Sequence, residues 1–133
     1  MEKNNMDKNN LDKKEEIFWG ADYGKIYPHL EGSTPYQELI NTCFDYCKPQ
    51  NGEAWLDVGC GSGILIEKIW NATKGEIKKI EAIDLSSVML SYSKLRSTNF
   101  KPNPTNNKIV FKQHNLSYPL PYQDNMYDGI VAN

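Results

Sequence analysis

Two short segments contain the residues whose types and spacing are best suited to chemistry. The first is the glycine-rich run Gly59-Cys60-Gly61-Ser62-Gly63, which lies between two apolar stretches. Glycine adopts backbone angles that other residues resist, and it lets a ligand approach the main chain closely. If a helix begins after this run, its first N–H groups lack partners within the helix and can donate to that ligand. The run is therefore expected to contact a bound small molecule.

The second segment ends in the carboxylate of Asp84, about 20 residues after the glycine run. Asp84 closes the next predicted strand, and the carboxyl ends of parallel strands meet at one edge of a sheet. At that edge the carboxylate can accept hydrogen bonds from both hydroxyls of a ribose. The two segments together predict a site for a ribose-bearing cofactor.

The glycine spacing distinguishes between ribose-bearing cofactors. A dinucleotide site needs glycine at the first, third and sixth positions, and counting from Gly59 the sixth position is Ile64. The run is instead preceded by Asp57, inside the end of the predicted strand. A carboxylate is unfavourable beside a pyrophosphate. It suits a cofactor that has a cationic amino group and a sulfonium and no phosphate.

Three segments in order resemble the motifs of class I S-adenosylmethionine-dependent methyltransferases. Residues 55–63 (WLDVGCGSG) are similar to the first motif of that family and 82–90 (AIDLSSVML) to its second-strand motif. Residues 116–133 (LSYPLPYQDNMYDGIVAN) are similar to the segment that enters the fourth strand. A lone glycine turn would be weak support, but three motifs at family spacing are specific. The resemblance covers roughly Trp55 to Asn133.

The resemblance implies a set of cofactor-binding residues. Gly59, Gly61 and Gly63 would let the backbone pass under the cofactor, Asp57 would bind its amino group and Asp84 its ribose. Around the adenine and the methionine end, the implied contacts are Leu85, Met89, Asn115, Leu116, Cys60 and Asn133. Asn115 departs from the family, which usually has aspartate there; its carbonyl oxygen can still accept from the adenine amino group. Tyr23 and Tyr27 belong to an aromatic stretch, Phe18 to Tyr27, that is expected either to cover the site as a lid or to pack against the sheet.

Structural explanations compete with several of these assignments. The glycines could form only a tight turn, Asp84 could cap the following helix, and Asp57 could bond nearby backbone N–H groups. Cys60 is expected to be a small filler rather than a nucleophile, and Met89 suits the core as well as adenine. Cys43 and Cys47 lack two further ligands at metal-binding spacing, so no metal site is predicted. No catalytic base can be assigned, because methyl transfer needs one only for some acceptors.

The site requires a strand-helix repeat to position it. Strands are predicted at Ala54–Val58, Lys79 to Leu85, Ile109 to Phe111 and Tyr127 to Ala132. Helices are predicted from Ser33 or Thr34 to near Lys48, from Ile64 to near Lys74, and from Ser86 or Ser87 past Leu95. This alternation indicates an α/β fold, a Rossmann-like doubly wound sheet that is mostly parallel.

Length and composition limit the other possibilities. The chain has 133 residues, and its formal charge of −2 gives no reason to expect a nucleic acid or an anionic membrane as partner. The polar start lacks an apolar signal stretch and the cysteine count of three is odd, so a reducing, cytoplasmic location is expected. Three regions are predicted: a disordered polar tail that is functionally silent (1–16), an N-terminal lid or helical segment (17–52) and the cofactor-binding core (53–133).

The function predicted from the sequence is methyl transfer from S-adenosylmethionine to a small-molecule acceptor. The family core has seven strands and four are predicted here, so the chain is expected to be a fragment or truncated product. A truncated chain could be inactive on its own. Two alternatives stay open at this point: one half of a nicotinamide-dependent oxidoreductase, and a cofactor-binding or scaffold protein without catalysis. The oligomeric state cannot be read from the sequence.

Overall fold

The computed structural model describes Asn10, 12–14, Glu16 and 19–133. From residue 19 onward it contains four helices, α1 (Ala21–Glu31), α2 (Thr34–Cys47), α3 (Ile64–Ala72) and α4 (Ser87–Ser97). The same range contains four strands, β1 (Ala54–Val58), β2 (Lys79–Asp84), β3 (Ile109–Gln113) and β4 (Gly129–Ala132). Asn10, 12–14 and Glu16 are also helical.

The four strands form one sheet in the order β3-β2-β1-β4, and every pair is parallel. The chain moves outward from β1 through β2 to β3, then returns to the other side of β1 for β4. Ligands bind parallel α/β sheets at such a reversal, outside the carboxyl ends of the strands. The Rossmann-like α/β fold predicted from the sequence is confirmed.

Local sequence explains where the helices begin and end. Pro35 stands in the first turn of α2, where a missing N–H costs nothing, and Lys48 ends that helix in the left-handed conformation with φ 44°. Ser86 caps α4 by accepting a hydrogen bond from the Met89 N–H at 3.2 Å. The helix start between Ser33 and Thr34 and the cap at Ser86 match the sequence predictions.

Apolar side chains from the sheet and the helices pack into two buried groups. One lies around Trp55, Ile69, Trp70 and Ile80, and Phe100 stacks on Trp70 with ring centroids 6.2 Å apart. The other joins Ile40 of α2 to Ile64, Leu65 and Val131. Both groups are built from the continuous apolar strands and helix stripes that the sequence shows.

Strand β4 begins later than predicted, at Gly129 rather than Tyr127. The two preceding residues have other partners. Asp128 bonds both backbone groups of Ala54, its N–H donating to the carbonyl and its carboxylate accepting from the N–H, each at 2.8 Å. The Tyr127 hydroxyl donates to buried Glu81 at 2.7 Å. Burial opposes ionisation of Glu81, but hydrogen bonds from Lys79, Tyr127 and Tyr122 outweigh it and lower the pKa of that carboxyl.

The N-terminal regions differ from the sequence expectation in one respect. Residues 17–52 contain two helices, as the expectation of a lid or helical segment allows, and α1 continues through Pro28. Much of the predicted disordered tail, 1–16, and Phe18 lie outside the described residues. In the described part of that tail, Asp12 accepts from the Asn115 amide at 2.7 Å and Glu16 accepts from Ser87 at 2.8 Å. These polar pairs join Asp12 and Glu16 to the edge of the sheet and to the start of α4.

Across the part of the chain that the structure describes, no helix combines the length and the apolar character that a membrane crossing needs.

Candidate functional site

The turn after β1 and the end of β2 are joined by the carboxylate of Asp84. Its Oδ2 accepts from the Gly61 N–H at 2.9 Å and its Oδ1 accepts from the Ser86 N–H at 2.8 Å. Gly59 and Cys60 both donate their N–H groups to the Ile83 carbonyl, at 2.8 and 3.0 Å. Since Ser86 is the cap of α4, Asp84 is not; it instead links the glycine turn to the beginning of that helix.

The three glycines of the turn have separate roles. All have positive φ, 73° at Gly59, 53° at Gly61 and 88° at Gly63, which other residues adopt only with strain. A Cβ on Gly59 would meet no atom within 4 Å, and one on Gly61 would lie 2.9 Å from the Tyr27 hydroxyl. A Cβ on Gly63 would lie 2.4 Å from Ser93 Oγ. Both Gly59 and Gly61 line a cleft, but only Gly59 faces open space, because the Tyr27 hydroxyl lies over Gly61. Gly63 lets the turn approach α4.

A cleft of about 690 Å³ lies over the carboxyl edge of the sheet. Most residues predicted to bind a cofactor line it: Tyr23, Tyr27, Gly59, Gly61, Asp84, Leu85, Met89, Asn115, Leu116 and Asn133. Trp19 adds to the aromatic wall, its ring standing edge-on to Tyr23 with centroids 4.9 Å apart. The structure thus brings ten predicted residues, from five separate stretches of the chain, to one cleft.

Asp57, Cys60 and Gly63 are absent from that lining. Asp57 and Cys60 instead border a small cavity of about 20 Å³, together with Tyr36, Ile40 and Ile64. Tyr27, Gly59 and Asn133 border both the cavity and the cleft, so the two spaces adjoin. The cavity lies at the end of the cleft nearest β4.

The carboxylate of Asp57 is in an unusual electrostatic state. The residue is 2 % exposed, and its Oδ2 has no hydrogen-bond partner among the residues that the structure describes. Burial, with a smaller contribution from the charge of Asp84, raises the pKa of Asp57 to about 7. Local backbone N–H groups therefore do not satisfy this oxygen, and a cationic group in the cavity would.

Two tyrosines close the cavity from the side of the helices. The hydroxyls of Tyr27 on α1 and Tyr36 on α2 are 2.5 Å apart, and the rings meet edge to face with centroids 6.0 Å apart. Burial and the hydrogen bond to Tyr36 raise the pKa of Tyr27, so its hydroxyl stays protonated. This pair is a polar, uncharged wall opposite the buried carboxylate.

At the other end of the cleft, Asn115 has both ends of its amide engaged. Its Oδ1 accepts from the Ser117 N–H at 2.8 Å and its Nδ2 donates to Asp12. Leu85 and Met89 supply apolar surface beside it. These hydrogen bonds fix the orientation of the Asn115 amide at the edge of the cleft.

The cysteines behave as structural residues. Burial raises the pKa of the Cys60 thiol, and burial with the neighbouring Cys43 raises the pKa of Cys47 to about 11, so both thiols are protonated at neutral pH. Over the described ranges, no group of three or more histidine, cysteine, aspartate or glutamate side chains could hold a metal ion.

Sequence reasoning missed three residues that line the cleft, Trp19, Ser86 and Ser117. Trp19 belongs to the aromatic stretch that pointed to Tyr23 and Tyr27, so the same signal could have included it. Ser86 and Ser117 directly follow predicted cofactor-binding residues, but serine beside such a residue is too common to be a signal.

The sequence of the chain matches a known protein family. A family model described as a methyltransferase domain matches residues 56–133, more than half of the chain. No curated protein sequence matches the chain.

Solved structures share the fold. Magnesium protoporphyrin IX methyltransferase from Synechocystis with bound S-adenosylmethionine aligns with a TM-score of 0.68 and 14 % identity, over 91 % of this chain and 60 % of that one. A Geobacter sulfurreducens methyltransferase in complex with S-adenosylhomocysteine aligns with a TM-score of 0.54 and 22 % identity, over 71 % and 35 %. An S-adenosylmethionine-dependent methyltransferase from Mesorhizobium loti gives 0.53 and 17 %, over 77 % and 41 %. This chain therefore spans about one third to three fifths of the length of these proteins.

Proposed function

This chain belongs to the methyltransferase domain family and has the class I fold. From that premise we propose that its cleft binds S-adenosylmethionine and that the protein transfers a methyl group to a small-molecule acceptor. The family membership argues against the nicotinamide-dependent alternative. The scaffold alternative differs only in the absence of catalysis, so an activity measurement separates it.

The observation that carries the proposal is the unpartnered Oδ2 of buried Asp57 beside the small cavity. A buried carboxylate without a partner is costly, and a cationic ligand group removes that cost. S-adenosylmethionine has such groups, an ammonium and a sulfonium. A dinucleotide would instead bring its pyrophosphate close to the carboxylates of Asp57 and Asp84, where like charges repel.

The remaining cleft residues suit the other parts of the cofactor. Asp84 is expected to accept from the ribose hydroxyls, since each carboxylate oxygen has a lone pair beyond its one backbone donor. Gly59 leaves the main chain open to the ligand, and Gly61 leaves room for the Tyr27 hydroxyl beside the cleft. Leu85 and Met89 would flank the adenine, with Asn115 at its polar edge.

The bound cofactor would supply an activated methyl group on sulfur. The protein's own contribution is orientation and exclusion of water. Trp19, Tyr23 and Tyr27 form one aromatic wall of the cleft. The Tyr27 hydroxyl stays protonated and so adds no charge to that wall. The cleft is concave and of a size that suits small ligands, which supports a small-molecule acceptor.

Calorimetric titration with S-adenosylhomocysteine and, separately, with NAD tests the cofactor. We expect S-adenosylhomocysteine to bind and NAD not to bind, whereas binding of NAD alone would reject the proposal. A tritiated-methyl assay with panels of small molecules then tests catalysis. Cofactor binding without transfer to any acceptor would favour the scaffold alternative for this chain.

A further inference from the structure

The guanidinium of Arg96, near the end of α4, contacts three other parts of the chain. Its Nε donates to the Ser62 carbonyl at 2.9 Å, one terminal nitrogen donates to Glu67 at 2.8 Å, and the other pairs with Glu31. Ser62 lies in the glycine turn, Glu67 on α3, and Glu31 is the last residue of α1. One side chain therefore joins the helix that walls the cleft to the turn that forms its floor.

A second contact joins the turn and α1 directly. The Ser62 hydroxyl donates to Glu31 Oε1 at 2.8 Å, and Ser62 is 4 % exposed. The backbone carbonyl of Glu31 also accepts from the Gln37 amide, which fixes the connection between α1 and α2. We call Arg96, Ser62 and Glu31 the clamp.

The clamp lies one helical turn from the cleft. Tyr27 precedes Glu31 by four residues on α1, so the two side chains lie on the same face of that helix. The Tyr27 hydroxyl lies over Gly61, the residue that precedes Ser62 in the turn. A turn earlier, Gly24 packs closely on α4, where a Cβ would lie 3.1 Å from Val88. The position of Tyr27 depends on the contacts on either side of it.

We propose that Arg96 is a positioning residue, and that the clamp couples the docking of α1 to the conformation of the glycine turn. Cofactor binding then orders α1, and docked α1 strengthens cofactor binding in return, because coupling of two equilibria is reciprocal. The ligand half of this inference rests on the proposed function. The docking half, that the clamp holds α1 against the glycine turn, rests only on the contacts above.

The geometry separates the clamp from an ordinary surface ion pair. Exposed pairs contribute little, whereas multidentate arginine contacts in a network contribute more. Here the Glu31 side chain is 14 % exposed and that of Arg96 30 %. The third contact provides a matched control. The Glu67 carboxylate pairs with the same guanidinium and its side chain is 37 % exposed. Glu67 contacts the turn only through its backbone N–H, which donates to the Gly63 carbonyl and which a side-chain substitution keeps.

Hydrogen exchange with mass spectrometry tests the docking half without any ligand. Glu31→Gln keeps the shape of the side chain and removes its charge, and we expect amides of 21–31 to exchange about tenfold faster, with the β1 and β2 amides unchanged. Glu67→Gln is expected to change exchange in 21–31 by less than about twofold. Equal exchange in Glu31→Gln and wild type, or equal acceleration in both variants, would overturn the clamp. Ser62→Ala, which removes one contact of the clamp, repeats the test if Glu31→Gln does not fold.

The same variants test the coupling. S-adenosylhomocysteine should slow exchange in 21–31 of the wild type and of Glu67→Gln, and should bind Glu31→Gln at least about fivefold more weakly. A purely structural role would lower the melting temperature without altering this protection. Ligand binding to wild type without protection of α1 would overturn the coupling. A wild type that binds no S-adenosylhomocysteine would overturn the proposed function, and the ligand-free exchange then decides the docking half alone.

Discussion

At the scale of single residues, the two aspartates of the site differ in what surrounds them. Asp84 accepts from two backbone N–H groups and lines the cleft. Asp57 has a buried oxygen without a partner in the described chain, and its pKa is raised. One carboxylate is thus prepared to accept hydrogen bonds, and the other to receive a cation.

Asp84→Ala is expected to weaken binding of S-adenosylhomocysteine by about 2–3 kcal/mol, because two charge-assisted hydrogen bonds are lost. Titration calorimetry measures the change. Asp128→Ala is the matched control, since Asp128 also accepts from a backbone N–H, but at the opposite end of β1. Both variants should lose stability, and only Asp84→Ala should lose affinity; equal affinities would leave Asp84 with the backbone role alone.

Asp57 predicts a pH dependence of folding stability. Because the folded-state pKa lies above that of the unfolded chain, the protonated form favours folding. This contribution is fully present below about pH 4 and is lost as the pH rises through about 7, by on the order of 4 kcal/mol. Urea unfolding of wild type and Asp57→Asn from pH 4 to 8 should show this loss only in the wild type. Parallel pH profiles would contradict the raised pKa.

The same carboxyl predicts proton release on ligand binding. A ligand ammonium beside Asp57 lowers its pKa, so binding of S-adenosylhomocysteine near pH 7 should release about half a proton. Calorimetry in two buffers with different ionisation enthalpies measures the number released. Asp57→Asn should release none, and release unchanged in that variant would assign the proton to another group.

At the scale of elements, the site depends on how β4 pairs with β1. The register places Trp55 opposite Gly129, and a Cβ on Gly129 would lie 2.4 Å from the indole ring. The ring is also fixed by its N–H, which donates to Glu53 at 2.8 Å. Glycine at the start of β4 therefore lets the strand lie over the tryptophan and carry Asn133 to the cleft.

Gly129→Ala is expected to destabilise the fold by about 1–3 kcal/mol through overpacking against Trp55. Gly32→Ala is its control, because a Cβ there would meet the nearest atom, a backbone oxygen, at 3.5 Å. That substitution should change the free energy of unfolding by less than about 0.5 kcal/mol. Urea denaturation compares the two, and a Gly129→Ala as stable as wild type would mean that Trp55 repacks freely.

At the scale of the whole molecule, the cleft joins segments that are far apart in the chain, from the aromatic residues before β1 to Asn133 after β4. A ligand bound there stabilises the folded state, because the unfolded chain has no such site. S-adenosylhomocysteine at about 100 times its dissociation constant should add about 2.7 kcal/mol and raise the melting temperature by several degrees. NAD at the same concentration should not, and equal shifts with both ligands would argue against the proposed specificity.

Much of this organisation was predictable from the sequence because it is local. The β1 boundaries, the helix start at Ser33 or Thr34, the cap at Ser86 or Ser87 and the helix end near Lys48 follow from short-range patterns and backbone chemistry. The parallel sheet follows from the alternation of strands and helices. The family motifs, with the aromatic stretch before β1, pointed to ten of the residues that line the cleft. The roles assigned to those residues remain predictions that the variants above test.

What the sequence by itself determined is therefore the order of the elements, the fold class and the candidate residues at the carboxyl ends of β1 and β2. Only the tertiary structure decided that Gly63 packs on Ser93, Gly61 under the Tyr27 hydroxyl and Gly59 beside open space. It alone decided that one oxygen of Asp57 stays unpartnered in the described chain. It also decided that Arg96 joins α1 to the glycine turn. The physical reason is that periodicity and capping act over a few neighbouring residues, whereas burial, close approach and charge pairing depend on which distant segments the fold brings into contact.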